Sequence, residues 1–376
     1  MKNPIYIHDA ALISPLGSRG FGVNQPMFCT HQGTPVGRID TDSENALQGL
    51  KNESSQYQKL DRSTLLAILA ARQLKLESKE VAVNIGSSRG ATGIWEDFHA
   101  EFVKTGKVPV PTSPLTTLGN LSSWVAQDLG TQSTAFSHSI TCATAAHSIL
   151  NAIAWLESGM ATTFIAGGTE APLTDFTIEQ MKALRIYSQE KGEYKCRALD
   201  LDKKSNTMVL GEAAACFLLS KKSSANGIKI SGYGTAIESL QSATSMSADG
   251  LGFQKSMRAA IENLNPESID AIVTHAPGTI LGDSSEVNAI RAVFGEKLPE
   301  LLNNKWQIGH SLGASAAVNI CVAIDLLSGK TPAAIPYLKT GPLNDRHQNR
   351  LPSRVLVNAS GFGGNCVTLL LEKQVE

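Results

Sequence analysis

The sequence predicts a layered α/β fold built from two similar halves. Segments prone to form strands alternate with helical segments along the 376 residues, as they do when helices pack on the faces of a sheet. The order of these segments in the first half recurs in the second. The composition, 42% hydrophobic and 18% charged, supplies a large core for a chain of this length.

In the first half, apolar runs and glycine positions define the elements. We expect a strand at 5–13, a helix at 62–74 and strands at 81–85, 137–140, 163–166 and 213–219. Gly167 and Gly168 are expected to close the fourth of these strands. An alanine-rich helix follows Cys142 and ends at Gly159. The polar segment 220–227 separates the halves, which we assign to residues 1–222 and 223–376.

The second half shows the same alternation. Its predicted elements are a strand at 228–233, a helix at 254–264, a short strand at 271–274, a helix at 314–327 and strands at 355–358 and 367–371. The helix at 314–327 ends in Ser328-Gly329, just as the helix after Cys142 ends in Ser158-Gly159. Alanine-rich helices can resemble each other by chance, but the matching order of elements favours a duplication.

Charge and cysteine spacing argue against several functions. A formal net charge of −1 gives no sign of nucleic-acid binding. Six cysteines without CxxC pairs indicate neither a metal site nor a disulfide framework. No uncharged apolar run approaches the roughly 20 residues that span a bilayer. The N-terminus has no secretory pattern, so we expect a cytoplasmic protein.

Cys142 is the first candidate for a catalytic residue. It is expected where a short strand turns into a helix, so its thiol would face unpaired backbone N–H groups and the positive end of the helix dipole. Both favour the thiolate, the form that attacks an acyl carbon. A buried structural cysteine is the alternative for a lone thiol.

Four motifs carry a resemblance that covers about residues 5–372. In chain order they are Thr141-Cys142-Ala143-Thr144; His275 to Thr279 with Gly282, Asp283 and Glu286; Lys305 with Gly309-His310; and Gly361-Phe362-Gly363-Gly364. With them the chain resembles the β-ketoacyl–acyl carrier protein synthases, the elongating condensing enzymes of the thiolase superfamily. The resemblance implies a thiolase-like five-layer αβαβα sandwich of two duplicated halves, usually an obligate dimer.

The resemblance also implies catalytic roles. Cys142 would accept the acyl group from a carrier-protein thioester. His275 and His310, as neutral imidazoles, would donate hydrogen bonds to the malonyl thioester oxygen while carbon dioxide leaves. The backbone N–H groups of Cys142 and Phe362 would hold the oxyanion of each tetrahedral intermediate.

Supporting roles fall on four further residues. A buried Lys305 needs a carboxylate or a structural hydrogen bond, and the family pattern suggests Glu286, which would give a charge network behind the histidines. Asp283 would join that network or cap a helix. Thr279 would contact the phosphopantetheine arm.

The chain departs from the family pattern at three pocket positions. Pro277 replaces a threonine that contacts pantetheine. Ser360 replaces a phenylalanine, which should open or polarise the region beside Phe362. Arg89, in the loop 86–90, stands where fatty-acid enzymes carry an apolar residue near the acyl pocket. An unpaired arginine beside an alkyl chain is costly, so the hypothesis is a pocket for a polar, aromatic or polyunsaturated acyl group, as in polyketide or aryl-polyene pathways. Alternatively, Arg89 turns outward to the surface or a dimer partner.

The implied partner is an acidic acyl carrier protein that delivers phosphopantetheine, with no cofactor resident in the enzyme. Basic contacts to the carrier would come from Arg197, Lys59 and Arg62, with Lys203 and Lys204 as weaker candidates. The dimer would be a homodimer or a heterodimer with a paralogue.

Two other functions remain possible at this point. A non-catalytic chain-length subunit would usually lack the nucleophile, so Cys142 argues against it. A thiolase acting on coenzyme A esters is disfavoured by the paired His275 and His310 and by Lys305.

Overall fold

The computed structural model describes residues 3–18, 24–225, 227–239, 246–338 and 351–374. The strands are β1 Ile5–Ile13, β2 Cys29–His31, β3 Thr34–Val36, β4 Ala82–Gly86, β5 Ala135–Phe136, β6 Thr163–Glu170, β7 Ala213–Ser220, β8 Ile228–Ile237, β9 Ala271–Val273, β10 Glu300–Leu302, β11 Arg354–Gly361 and β12 Asn365–Lys373. The helices are α1 Thr41–Glu53, α2 Arg62–Arg72, α3 Thr92–Thr105, α4 Thr112–Thr116, α5 Asn120–Leu129, α6 Thr144–Ser158, α7 Asp175–Ala183, α8 Leu251–Ala260, α9 Ile280–Phe294, α10 Lys305–Ile308 and α11 Ser315–Leu327.

The main sheet repeats one topology twice. Its order is β10-β9-β11-β12-β8-β1-β7-β6-β4-β5, so each half contributes five strands in the same relative order. In each half four strands run in the same direction, and one strand, β7 in the first half and β12 in the second, runs antiparallel to its two neighbours. The halves join through a short antiparallel pairing of β1 with β8. This symmetry confirms the predicted duplication.

Three apolar clusters define the layers. Between the two half-sheets, α6 and α11 pack together through residues such as Ile149 and Ile320. On the outer face of the first half-sheet, α2 and α5 bury Leu65 and Val125. On the outer face of the second, α8 and α9 bury Phe253 and Ile290. The succession helix, sheet, helix, sheet, helix is the expected five-layer sandwich.

Several element boundaries differ from the sequence-based prediction. The strand expected at 137–140 lies earlier, at β5. The helix expected at 254–264 is shifted to α8, and a 3-10 turn, Leu312–Ala314, precedes α11. The strands predicted at 355–358 and 367–371 are longer, as β11 and β12.

The glycines expected to close the strand at 163–166 instead lie inside β6, which continues to Glu170. A Cβ at Gly167 would lie 2.1 Å from the Ala215 carbonyl oxygen, and one at Gly168 would lie 2.7 Å from the Ala145 Cβ. These glycines therefore permit close packing on β7 and α6 rather than ending the strand.

We propose the division between halves at residues 222 and 223, in the connection from β7 to β8. Among the described residues, no helix combines the length and apolar character needed to cross a membrane.

Candidate active site

A cavity of about 490 Å³ is lined by residues of both halves. It brings together seven of the residues singled out in the sequence: Arg89, Cys142, His275, Thr279, His310, Ser360 and Phe362. Pro277 lines it too. The candidate nucleophile Cys142 from one half therefore shares a cavity with two histidines from the other.

Cys142 lies just before α6, whose N-cap is Ala143. The turn is tight: Thr141 adopts a left-handed conformation with φ of 45°, and the Thr144 hydroxyl donates to the Thr141 carbonyl oxygen at 2.6 Å. The Thr141 hydroxyl donates to the Phe362 carbonyl oxygen at 3.1 Å. Because a Cβ at Gly361 would lie 2.1 Å from Thr141 Oγ1, only glycine allows β11 to approach the nucleophile turn this closely.

The Cys142 thiol is protonated in the free protein. Burial raises its pKa to about 12, the Glu170 carboxylate raises it as well, and Lys305 acts in the opposite direction. Its apolar neighbours include Met181, Met208 and Leu312. The expectation that the helix N-terminus favours the thiolate stays a prediction, and the burial of the thiol and the Glu170 carboxylate act against it.

The two histidine rings meet edge to face with centroids 5.3 Å apart. Both residues are buried. Burial lowers the pKa of His310 to about 3, with a smaller contribution from Lys305. Burial and Lys305 also hold the pKa of His275 well below its ordinary value. Both imidazoles are therefore neutral at pH 7 and able to donate a hydrogen bond, as the sequence-based interpretation requires.

Glu286 anchors the segment that carries His275. Its Oε1 accepts from the His275 N–H at 2.9 Å and from Asn358 Nδ2 at 2.9 Å, and its Oε2 accepts from the Ala276 N–H at 2.7 Å. The residue is fully buried. The carboxylate thus fixes the backbone at the start of the histidine loop.

Lys305 is buried behind the histidines, with Nζ 3.5 Å from the Thr274 carbonyl oxygen. Burial lowers its pKa to about 8, against the attraction of Glu286. In the described part of the chain, the ion pairs include no direct pair of Lys305 with Glu286. The predicted charge network therefore acts at longer range, because Glu286 is occupied by backbone and amide donors.

Asp283 forms a direct buried pair with Lys203 and also raises the pKa of Lys305 at longer range. It accepts from Lys203 Nζ at 2.7 Å and from the N–H groups of Gly278 and Leu199 at 2.9 Å each. The side chain that caps α9 is Thr279, which accepts from the Gly282 N–H. The helix-cap role suggested for Asp283 is therefore wrong.

The proposed carrier contacts have different surroundings. Arg62 is bound to Glu44 and Glu212 at 2.6 and 2.8 Å, and Lys203 is buried against Asp283. The burial of Lys203 corrects the prediction of a carrier contact for that residue. Arg62 keeps 25% of its side chain accessible beside its two carboxylates, and its carrier contact stays a prediction. Arg197 pairs with Asp200 at 2.5 Å and lies over the Tyr337 ring.

Lys59 and Lys204 are exposed, and Arg197 keeps 37% of its side chain accessible. These three residues retain basic groups that solvent or a partner reaches.

Sequence reasoning missed Glu170, at the end of β6. Its fully buried carboxylate accepts from Ser87 Oγ and from the N–H groups of Ser88, Arg89 and Gly313 at 2.8 to 3.1 Å. Burial raises its pKa to about 7. It ties the loop containing Arg89 to the turn that follows His310. The sequence signal that could have identified Glu170 is an acidic residue at the end of the buried strand β6.

A cysteine nucleophile, two neutral histidines and a buried lysine in a duplicated αβαβα fold define an acyl-transferring condensing enzyme. The chain matches the model of the β-ketoacyl synthase N-terminal domain over residues 53–225 and that of the C-terminal domain over 228–336. It belongs to the β-ketoacyl synthase family.

Curated relatives include 3-oxoacyl-[acyl-carrier-protein] synthase 2 of Staphylococcus aureus, 27% identical over 90% of each chain. Nodulation protein E of a Rhizobium species is 27% identical, over 77% of this chain and 75% of that protein. A further similarity is to solved structures. One chain of a complex between a type II polyketide acyl carrier protein and its ketosynthase has a TM-score of 0.83 at 18% identity, with all of both chains covered. One chain of the complex between the ketosynthase ApeO and its chain length factor ApeC, from Xenorhabdus doucetiae, has a TM-score of 0.79 at 20% identity, over 99% of this chain and 98% of that one.

Proposed function

We propose that this β-ketoacyl synthase extends acyl chains held on an acyl carrier protein in the cytoplasm, in fatty acid or polyketide synthesis. The observation that carries the proposal is that Cys142, His275 and His310 line one cavity. The enzyme transfers an acyl group to Cys142, then joins it to the two-carbon unit left when malonyl carrier protein loses carbon dioxide.

In the first step, the Cys142 sulfur forms a bond to the acyl carbon and the bond to the pantetheine sulfur breaks. Because Cys142 starts as a neutral thiol, its proton leaves with the departing pantetheine thiolate, so the step conserves charge. The N–H groups of Cys142 and Phe362 hold the oxyanion, and each such donor is typically worth about 3 kcal/mol.

In the second step, the malonyl C–C bond breaks, carbon dioxide leaves, and the electron pair moves onto the thioester carbonyl. Neutral His275 and His310 donate hydrogen bonds to the oxygen that gains this charge. The enolate carbon then bonds to the acyl carbon and releases Cys142 as a thiolate that recovers a proton. Burial and, to a smaller extent, Lys305 lower the pKa of both histidines, which keeps them neutral with one N–H each to donate.

The carrier protein brings its own phosphopantetheine. We place Thr279 beside that arm, since it lines the cavity at the start of α9. Carrier proteins are acidic, so the accessible basic groups of Arg197, Lys59 and Lys204 are the proposed contacts.

We also propose a dimer, with itself or with a paralogue. None of the fourteen residues of α3 is buried, and Trp95, Phe102 and Val103 are 51%, 50% and 71% exposed. An exposed apolar helix face of this kind marks an interface between subunits. Phe102→Asp should convert the dimer to a monomer in light scattering. A dimer unchanged by this substitution would place the interface elsewhere.

Intact-protein mass spectrometry after incubation with acyl carrier proteins tests the function. The wild type should gain one acyl group, and Cys142→Ala should gain none. Cys29→Ala is the matched control, because Cys29 is an exposed thiol outside the cavity and would react first in non-specific exchange. Adducts that persist in Cys142→Ala, or no adduct from any donor, would refute the proposal.

A further inference from the structure

Arg89 is the strongly basic side chain in a cavity wall that is otherwise mostly apolar. The same cavity is lined by Met181, Leu184, Met208 and Leu312, and by the nucleophile Cys142. The Arg89 backbone is fixed by its N–H donation to Glu170 at 3.1 Å, so the side chain stays beside the space that an acyl group on Cys142 would fill.

The guanidinium of Arg89 has fewer hydrogen-bond acceptors around it than it has N–H donors. Its Nη2 donates to Gln180 Oε1 at 2.5 Å. Within the part of the chain that the structure describes, Nε and Nη1 have no hydrogen-bond acceptor, and Nε is buried. Buried donors without a partner are uncommon and costly. Since Nε is enclosed, Nη1 is the unpaired donor that a ligand oxygen in the cavity can reach.

Negative charge is already present near Arg89. Glu170 holds its backbone, and Arg89 acts to lower the pKa of Glu96 against a larger rise caused by burial. Glu96 itself accepts from the Thr174 hydroxyl at 2.8 Å rather than from Arg89. The Arg89 guanidinium therefore has negative charge nearby but lacks a hydrogen-bond acceptor. This favours a ligand with a neutral oxygen over one with a carboxylate.

We propose that Arg89 donates a hydrogen bond to a keto or hydroxyl oxygen carried by the acyl chain on Cys142, and so selects oxygen-bearing chains over saturated ones. This inference rests on the proposed condensing activity. It narrows the expectation of a polar, aromatic or polyunsaturated pocket to one chemical feature.

The test compares carrier proteins loaded with a saturated chain and with keto or hydroxy chains of equal length, the oxygen placed at successive carbons. Initial rates of Cys142 acylation are measured for wild type, Arg89→Met and Arg89→Lys. Arg291→Met is the matched control, since Arg291 is exposed on α9 and does not line the cavity.

The wild type should favour at least one oxygenated chain by about tenfold or more, because a site built around a hydrogen bond discriminates strongly against a ligand that cannot make it. Arg89→Met should bring the ratio near one by losing rate with the oxygenated chain, and Arg89→Lys should keep part of the preference. The Arg291→Met ratio should equal that of the wild type.

A wild-type preference for the saturated chain, or equal rates at every oxygen position, overturns the inference while leaving the condensing activity intact. A preference that survives in Arg89→Met also overturns it. If Arg89→Met does not fold, the wild-type and Arg89→Lys ratios decide. Failure of every chain to acylate Cys142 refutes the proposed function itself, and the inference with it.

Discussion

Replacing Glu286 by glutamine tests whether this carboxylate positions His275. The wild-type group accepts three hydrogen bonds, two at Oε1 and one at Oε2. Glutamine has the same shape but only one acceptor oxygen. Its best orientation keeps that oxygen where Oε1 accepts two hydrogen bonds. The NH₂ group then points towards the Ala276 N–H, so two donors face each other.

One buried backbone N–H is thereby left unpaired. Such a group costs about 1–3 kcal/mol, so we expect Glu286→Gln to lower the free energy of unfolding by about 2 kcal/mol. Glu286→Ala removes all three acceptors and should cost more. Urea unfolding followed by fluorescence gives both values, and Glu262→Gln is the control because Glu262 is exposed.

The kinetic consequence should be confined to one half-reaction. The lost hydrogen bond lies next to His275, the proposed donor to the malonyl thioester, whereas Cys142 sits in the other half of the molecule. We expect condensation to fall by about 100-fold, the usual effect of a small misplacement of a catalytic group, while acylation of Cys142 changes little. Mass spectrometry measures the acylation, and release of labelled carbon dioxide measures the condensation.

The reasoning fails if Glu286→Gln unfolds at the same urea concentration as wild type, since no donor would then have lost its partner. It also fails if acylation and condensation fall equally, because that would indicate a general structural defect rather than displacement of His275.

Three further changes probe the electrostatics and packing of the site. Glu170→Gln removes a charge that raises the pKa of Cys142, so the pH midpoint for alkylation of Cys142 by iodoacetamide should fall; an unchanged midpoint would contradict this. Because the pKa of His310 is lowered from 6.5 to about 3, its stabilising contribution is present above pH 6.5 and is lost as the pH falls towards 3. His310→Asn should therefore lose less unfolding free energy than wild type between pH 6.5 and 4, and equal losses would argue against a buried neutral imidazole. A Cβ at Gly313 would lie 2.4 Å from the Ser88 nitrogen and 2.6 Å from Glu170 Oε2, so Gly313→Ala should cost about 1–3 kcal/mol in urea unfolding; full stability would show that the loop moves freely.

Local sequence patterns predicted the elements and the motif residues well. The strand at 5–13 and the stop of the nucleophile helix at Gly159 lie where expected, because alternation and a left-handed glycine are properties of a few neighbouring residues. The motifs likewise identified Cys142, His275 and His310, which line one cavity. Local chemistry and family resemblance together sufficed for these features.

Local sequence patterns could not predict which buried charged residues pair with each other. Lys203 was placed on the surface, yet its Nζ reaches Asp283, eighty residues away in the chain. Lys305 and Glu286 were expected to pair, yet Glu286 is occupied by His275, Ala276 and Asn358. Each pairing depends on which backbone donors the tertiary fold brings to a carboxylate, and no spacing rule encodes that.

The same distinction explains why the helix N-terminus alone does not describe the surroundings of the Cys142 thiol. A helix N-terminus acts over one turn and contributes about 0.3–1 kcal/mol at exposed sites, whereas full burial shifts the pKa of a charged group by up to 3–5 units. Cys142 is placed at a helix start by its local sequence, but Met181, Met208 and Leu312 surround it only in the folded protein. Burial is thus a tertiary effect that raises the pKa of Cys142, and it makes acylation depend on where the thiol proton goes.

The duplicated topology explains why the site lies where it does. In the first half, the parallel strands β4, β5 and β6 lead to Arg89, Cys142 and Glu170. In the second, the equivalent parallel strands β9, β10 and β11 lead to the segments that carry His275, His310 and Phe362. Parallel strands end at one edge of a sheet, the usual place for ligands in such folds. Because α6 and α11 pack against each other between the sheets, the two edges face one cavity. Duplication followed by divergence of six strand ends is therefore enough to give the nucleophile to one half and the two histidines to the other.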